Sequence, residues 1–277
     1  MKAKKSEQAE METTAMPLLE HLIELRRRLL YSMTAFAVFF FVGYNYATPV
    51  YDFLTQPLAS AMREVGGSQR MIFTALTEAF FTQIQVGFFV GGVLSFPIIA
   101  AQVWMFVAPG LYKHEKKAFL PFLVVSPVLF AAGAALVYYF VIPLAWRFLL
   151  GFQTGVDETA LPIQLEAKVD EYLSLTMKLI FAFGLSFQLP VLLTLLARVG
   201  LVSSAALKEK RRYAIVGIFV VAAVITPPDV ISQIGLAIPL IVLYEMSILS
   251  CRSVERQRQE VESGEEMGVA ENDFNES

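Results

Sequence analysis

Among its 277 residues the chain has one cysteine, Cys251, and two histidines, His21 and His114. A single thiol excludes an internal disulfide, and three candidate ligands in unrelated contexts leave no dedicated metal site. Charge is scarce as well. Asp, Glu, Lys and Arg make up 17% of the residues, where a soluble domain carries nearer ~25%. Catalytic signatures are missing too: no G-x-S-x-G, H-E-x-x-H or G-x-x-x-x-G-K-[ST] occurs. Nucleophilic hydrolysis, zinc proteolysis and nucleotide hydrolysis therefore have no recognisable residues to act through, and the chain reads as a non-enzyme without a cofactor.

What is present is apolar. Hydrophobic residues make up 56%, phenylalanine alone occurs 23 times, and the mean hydropathy is +0.57. A membrane helix needs about 20 predominantly apolar residues to cross ~30 Å of hydrocarbon. Residues 29–51, 79–112 and 118–146 carry no charge, and 172–197 carries only Lys178. The block 213–251 contains Thr226-Pro227-Pro228-Asp229, a turn signal that splits it in two. The expected fold class is thus all-α, a polytopic membrane protein with six transmembrane helices near 29–50, 79–108, 118–146, 172–197, 213–226 and 230–251. Pro97, Pro121, Pro127, Pro143, Pro190 and Pro239 lie inside or at the edges of these spans. Prolines there bend helices, and the expected outcome is a concave, glove-like bundle.

Charge asymmetry sets the expected orientation. Segments 1–28, 109–117, 198–212 and the stretch after 251 hold 17 lysines and arginines, against four in the alternate segments 49–78, 147–171 and 226–230. Positive loops stay in the cytoplasm, so both termini are expected there. Arg26-Arg27-Arg28 ahead of an apolar run resembles a signal peptide, but the run is too long and no A-x-A-like site follows, which favours a retained anchor. The net charge of −3 misleads. Residues 260–277 hold seven acids and no base, while the rest carries 22 bases against 18 acids. Residues 1–15 and 253–277 are expected to be disordered extensions.

Several polar residues stand out against this background. Met16–Leu29 has an amphipathic period, with Glu20 and Glu24 on its polar side. Glu24 can pair with Arg27 or Arg28 on its own helix. Glu115, in a loop with Lys113, Lys116 and Lys117, is a second carboxylate on the same side of the membrane. Together the two acids could receive adjacent guanidinium groups through bidentate hydrogen bonds that a lysine cannot reproduce. Lys178, Gln188, Gln233 and Glu245 fall within spans, where ionisable groups are costly and signal function. Lys178 can snorkel outward, whereas Glu245 needs a partner or a wet cleft. The span from Tyr213 to Thr226 would be only about 21 Å long, short enough to thin the bilayer.

Four motifs carry a family resemblance. His21-Leu22-Ile23-Glu24-Leu25-Arg26-Arg27-Arg28-Leu29, Gln102-Val103-Trp104-Met105-Phe106-Val107-Ala108-Pro109-Gly110-Leu111-Tyr112-Lys113-His114-Glu115, Phe183-Gly184-Leu185-Ser186-Phe187-Gln188-Leu189-Pro190 and Thr226-Pro227-Pro228-Asp229-Val230-Ile231-Ser232-Gln233 occur in this order. Over residues 16–252 the chain resembles the TatC family, the multispanning receptor of the twin-arginine protein translocase. The resemblance implies that Glu24 and Glu115 bind the paired arginines of signal peptides on folded cargo, with Arg26 and Phe106 in or beside that site. It implies that Pro57 belongs to a periplasmic cap, and that Thr226 and Gln233 lie where the single-span partners TatA and TatB dock. It also implies homo-oligomers in the assembled complex, residence in the bacterial inner membrane and drive from the proton motive force. Gln188 stands where many members have glutamate, so no proton relay is expected there. The acid matching Glu245 brings no role with it. The rival reading is a small-solute or ion transporter using Lys178, Gln188 and Glu245, but no internal repeat joins the two halves. Nothing points to nucleic acid.

Overall fold

The computed structural model describes the backbone of residues 2–65, 70–107, 116–154, 165–198, 200–226 and 230–275, and within them the side chains of 19–64, 70–106, 122–154, 165–198, 200–226, 230 and 232–256. Almost all of this is helix. Four stretches are long and apolar enough to cross a membrane, Glu78–Phe106, Phe122–Leu150, Val169–Arg198 and Ser232–Arg256, and the bent pair Leu19–Asn45 and Ala47–Glu64 passes the same test jointly. By length and composition that makes up to five spans, and the expected span 213–226 falls in a helix, Arg211–Ile225, too short to pass the same test.

Helix α1 (Lys2–Asn45) is followed after Tyr46 by α2 (Ala47–Val65). The expected first span ran to residue 50, but the helix stops at Asn45, whose side-chain Nδ2 donates back to the Phe41 carbonyl at 2.8 Å. Pro49 lacks the N–H that would continue α1, and it fits the first turn of a new helix, where that N–H is not needed. Helical backbone also runs through both stretches read from composition as disordered extensions, from Lys2 and to Asn275. Glu, Gln, Arg and Met are good helix formers, and a helix already nucleated by a span propagates at little cost.

The chain divides into two compact units, residues 1–50 with 83–127 and residues 51–82 with 128–277. In the first, α1 packs antiparallel to α3 (Glu78–Val107), since partner numbers on α3 fall as those on α1 rise: His21 stacks on Phe106, and Phe36 and Phe40 both meet Phe88. The approach is close because small residues line it. A Cβ on Gly43 would lie 2.5 Å from the Val90 Cβ, and one on Gly91 would lie 3.2 Å from the Phe40 backbone. Small residues serve this purpose in membrane helix pairs, where close van der Waals contact replaces the hydrophobic drive.

Helix α4 (Lys116–Leu136), which belongs to the second unit from Val128 on, passes through a π-helical turn (Val137–Val141) into α5 (Ile142–Leu150). The Ile142 N–H reaches back to the Val137 carbonyl, and Pro143, which has no N–H of its own, explains why the ladder loses register there. A short strand β1 (Met71–Ile72) pairs in parallel with β2 (Ala167–Lys168) just before α6 (Val169–Ser186). Phe187 and Gln188 separate α6 from α7 (Leu189–Arg198), with Pro190 in the first turn of α7. Then come α8 (Ser204–Glu209), the 15-residue α9 (Arg211–Ile225) and α10 (Val230–Asn275). By helical rise α9 is about 22 Å long, short of the ~30 Å hydrocarbon core. Leu54, Val137, Ile142, Leu173, Phe183, Leu236 and Ile248 are fully buried in this unit.

Candidate functional site

The end of the first unit where α1 enters its span collects three of the expected residues. Glu24 is about one turn from His21, whose ring lies 4.2 Å from that of Phe106 and nearly parallel to it. This stack brings the end of α3 against the start of the apolar part of α1. The motif residue Phe106 is thereby placed against His21, three residues before Glu24, a contact that sequence reasoning missed. An aromatic residue and a histidine 85 positions apart carry no local signal of pairing.

Glu24 is partly buried, its side chain 27% exposed, and it pairs with Arg28 one turn further on. The Arg28 Nε donates to Oε1 at 2.9 Å, and Nη2 reaches the same oxygen. Both bonds therefore load one carboxylate oxygen. A carboxylate has about four lone-pair sites, and among the described residues Oε2 has no partner. Arg28 fixes the direction of Glu24 and leaves half of its acceptor capacity open. Arg26 is exposed, with no partner among the described residues. Glu115 lies outside the described residues.

A second set of sites lies in the other unit. Pro57 sits inside α2 and is buried. Lacking an N–H, it leaves the Phe53 carbonyl four residues back without its helical donor. The Tyr138 hydroxyl donates to that carbonyl at 2.6 Å, with its ring stacked on Phe53 at 4.3 Å. Tyr172 donates to the neighbouring Leu54 carbonyl at 2.7 Å. The helix proline is thus matched by a hydroxyl from the π-helical turn, and neither half of the match is readable alone.

Thr226 and Gln233 both work inside the α9–α10 hairpin. Thr226 is buried and donates through Oγ1 to the Ala222 carbonyl at 2.8 Å, closing the end of α9. The Gln233 Nε2 donates to the Phe219 carbonyl at 3.2 Å, joining α10 to α9. What the hairpin turns outward is the face of α9 bearing Val216, Val220 and Val224, all exposed, with open space around Gly217. Sequence reasoning chose the polar residues, but the accessible surface is apolar.

Glu245 does have a partner. Arg211, at the start of α9, donates to its Oε2 at 2.7 Å. Two further contacts hold the same end of the hairpin: Tyr244 donates to the Leu207 carbonyl at 2.7 Å, and Glu255 accepts from the Ser204 N–H at 2.7 Å and from its hydroxyl. Lys178 is exposed, and Gln188 lies at the α6–α7 break, ten residues and about 15 Å along the same broken span. Glu245 is engaged by Arg211 at the start of α9. Among the described residues no cluster of His, Cys, Asp and Glu could hold a metal ion.

Comparison with known proteins accounts for this arrangement. The family profile described as Sec-independent protein translocase protein (TatC) matches residues 20–239. The Sec-independent protein translocase protein TatC of Magnetococcus marinus is 52% identical over 250 residues, covering 90% of this chain and 89% of that protein. The protein of the same name from Escherichia coli strain K12 is 41% identical over 236 residues, covering 85% and 88%. Among solved structures, a crystal structure of the twin arginine translocase receptor TatC superposes with a TM-score of 0.73 at 38% identity, covering 84% of this chain and 99% of that one. With a profile match over most of its length and relatives at this level of identity, the chain belongs to the TatC family, a family of protein-translocase components rather than catalytic enzymes.

Proposed function

We propose that this protein is the receptor of a twin-arginine translocase in a bacterial inner membrane, with both termini in the cytoplasm. Glu24, together with Glu115, binds the paired arginines of signal peptides on folded cargo, and Arg26 and Phe106 border the site. The observation that carries the reading is the one-sided Glu24–Arg28 pair: Arg28 occupies Oε1, and among the described residues Oε2 has no partner, which leaves it for a second guanidinium. Hydrogen bonds to charged groups contribute about 1.5–3 kcal/mol each. Two acids holding two forked guanidiniums are therefore enough to separate an Arg-Arg signal from a Lys-Lys one.

Capture is followed by assembly. Single-span TatA- and TatB-type subunits and further copies of this chain join beside the short hairpin, where the length of α9 favours a thinned bilayer. Thr226 and Gln233 serve this step by holding the hairpin in shape, while the apolar face of α9 makes the contact. Pro57 acts by bending the periplasmic helix, and Gln188 supplies a neutral hydrogen-bonding group at the helix break. The absence of any nucleotide motif in the sequence agrees with drive from the proton motive force.

Site-specific crosslinking from positions 24 and 115 to a signal peptide in membranes tests the receptor reading. Crosslinks to an Arg-Arg signal, lost on Glu24→Ala with Glu115→Ala, are the expected result. Equal capture of Lys-Lys and Arg-Arg signals, or capture indifferent to both substitutions, would overturn it.

A further inference from the structure

The turn ahead of α3 is braced in an unusual way. Glu78 Oε2 accepts from the Thr74 N–H at 2.8 Å, the Ala75 N–H at 3.3 Å and the Thr74 hydroxyl at 3.4 Å. Its other oxygen accepts from the Asp170 N–H at 3.3 Å, in the first turn of α6. The Glu78 N–H itself returns to the Ala75 carbonyl at 3.1 Å. One carboxylate therefore folds the turn and ties it to a second helix.

Two large apolar side chains on this braced turn, Phe73 and Leu76, are exposed. Leu76 is 98% exposed and Phe73 60% exposed. A fully exposed leucine at the tip of a mobile loop would be unremarkable, but here several hydrogen bonds hold it out. The apolar surface also continues. Phe80 and Phe81, in the first turn of α3, are each 54% exposed at the end of a stretch long and apolar enough to cross the membrane. Leu76 precedes Phe80 by only four residues, which keeps it near the end of the span, where interfacial apolar groups settle in the headgroup and acyl boundary.

We propose that the Phe73–Leu76 turn is an interfacial anchor. It inserts into the leaflet at the end of α3 opposite Phe106, with Glu78 as the brace that aims it, and its partner is the lipid surface itself. The anchor fixes the depth of the β1–β2 pair and of the first turn of α6 relative to the bilayer.

The test uses full-length protein in vesicles of phosphatidylethanolamine and phosphatidylglycerol, with the buried Cys251 replaced by serine and an environment-sensitive fluorophore on Leu76→Cys. Phe80→Cys serves as the lipid reference. Glu166→Cys, an exposed acid otherwise paired with Arg70, serves as the water reference. The expected result is that the label at 76 follows the one at 80: blue-shifted, quenched by brominated lipids and protected from aqueous iodide. Iodide quenching equal to that at 166 would overturn the proposal. So would protection from both quenchers, which would indicate burial against another protein surface. Adding Glu78→Gln should move the label at 76 toward iodide access with helical content by circular dichroism preserved; unchanged lipid quenching would refute Glu78 as the brace.

Discussion

Among the described residues, the ion pair of the first unit is local, whereas most of those in the second join separate elements. In the first, Glu24 pairs with Arg28 on the same helix, four residues away. In the second, Glu245 meets Arg211 across 34 residues, Glu255 holds Ser204 across 51 and Tyr244 holds Leu207 across 37. A local pair can exchange partners without any element moving, because the helix is held by its backbone ladder and its packing. A pair between elements cannot, because α8 and α9 are positioned partly through those contacts. The first arrangement suits a site that must take on a further arginine contact without moving any element, and the second suits a fixed frame.

The largest expected effect lies on the exchangeable side. Glu24→Ala combined with Glu115→Ala should weaken capture of an Arg-Arg signal peptide by about 100-fold or more, since charged hydrogen bonds contribute about 1.5–3 kcal/mol each. The thermal midpoint of the detergent-solubilised protein should barely change, because an i,i+4 pair contributes only about 0.3–0.5 kcal/mol. Binding by anisotropy and unfolding followed on the same samples would separate the two effects. A large loss of stability would make Glu24 part of the frame and erase the contrast.

Next in size are substitutions within the frame, expected to act on stability and spare capture. Tyr138→Phe removes the donor to the Phe53 carbonyl that Pro57 leaves unpaired, with an expected cost of about 1–3 kcal/mol. Faster hydrogen exchange confined to α2 and its neighbours would report it. Glu255→Gln weakens the cap on α8, with an expected cost of about 1 kcal/mol by analogy with helix caps. Exchange should then rise at residues 204–209 while signal-peptide binding is unchanged.

The balance between what was legible in the sequence and what was not follows from the range of the interactions. The helices were readable because apolar length and charge-free runs are local properties, and so was the possible pairing of Glu24 with Arg28, which needs only helical spacing. The end of α1 at Asn45 was missed because an apolar run does not distinguish one helix from two, although Pro49 carried the signal. The His21–Phe106 stack, the Tyr138 donor and the Glu255 cap join residues far apart in the chain, and a single sequence holds no record of such pairing. Glu245 was singled out as an acid needing a partner, but Arg211 could be named only once α9 and α10 were seen side by side. Thr226 and Gln233 show the converse difficulty. Their polarity drew attention as docking residues, whereas their hydrogen bonds are made within the hairpin.

The smallest expected effect sharpens the comparison most, because it asks whether the Arg211–Glu245 pair really belongs to the frame. Its side chains are 48% and 39% exposed, so solvent should screen the attraction, and Glu245→Gln should cost no more than about 1 kcal/mol. The loss should shrink further as salt rises from 0.1 to 1 M, where the screening length falls from about 10 to about 3 Å. A double-mutant cycle with Arg211→Ala, followed by thermal unfolding at both salt concentrations, isolates the coupling. A salt-insensitive loss of about 3–5 kcal/mol, the range for breaking a buried pair, would mean that lipid or a partner subunit covers this end of the hairpin in the membrane. The pair would then be a buried fastening, and the contrast with Glu24 would be sharper than the isolated chain displays. A coupling near zero would instead leave Tyr244 and Glu255 as the contacts that hold the frame.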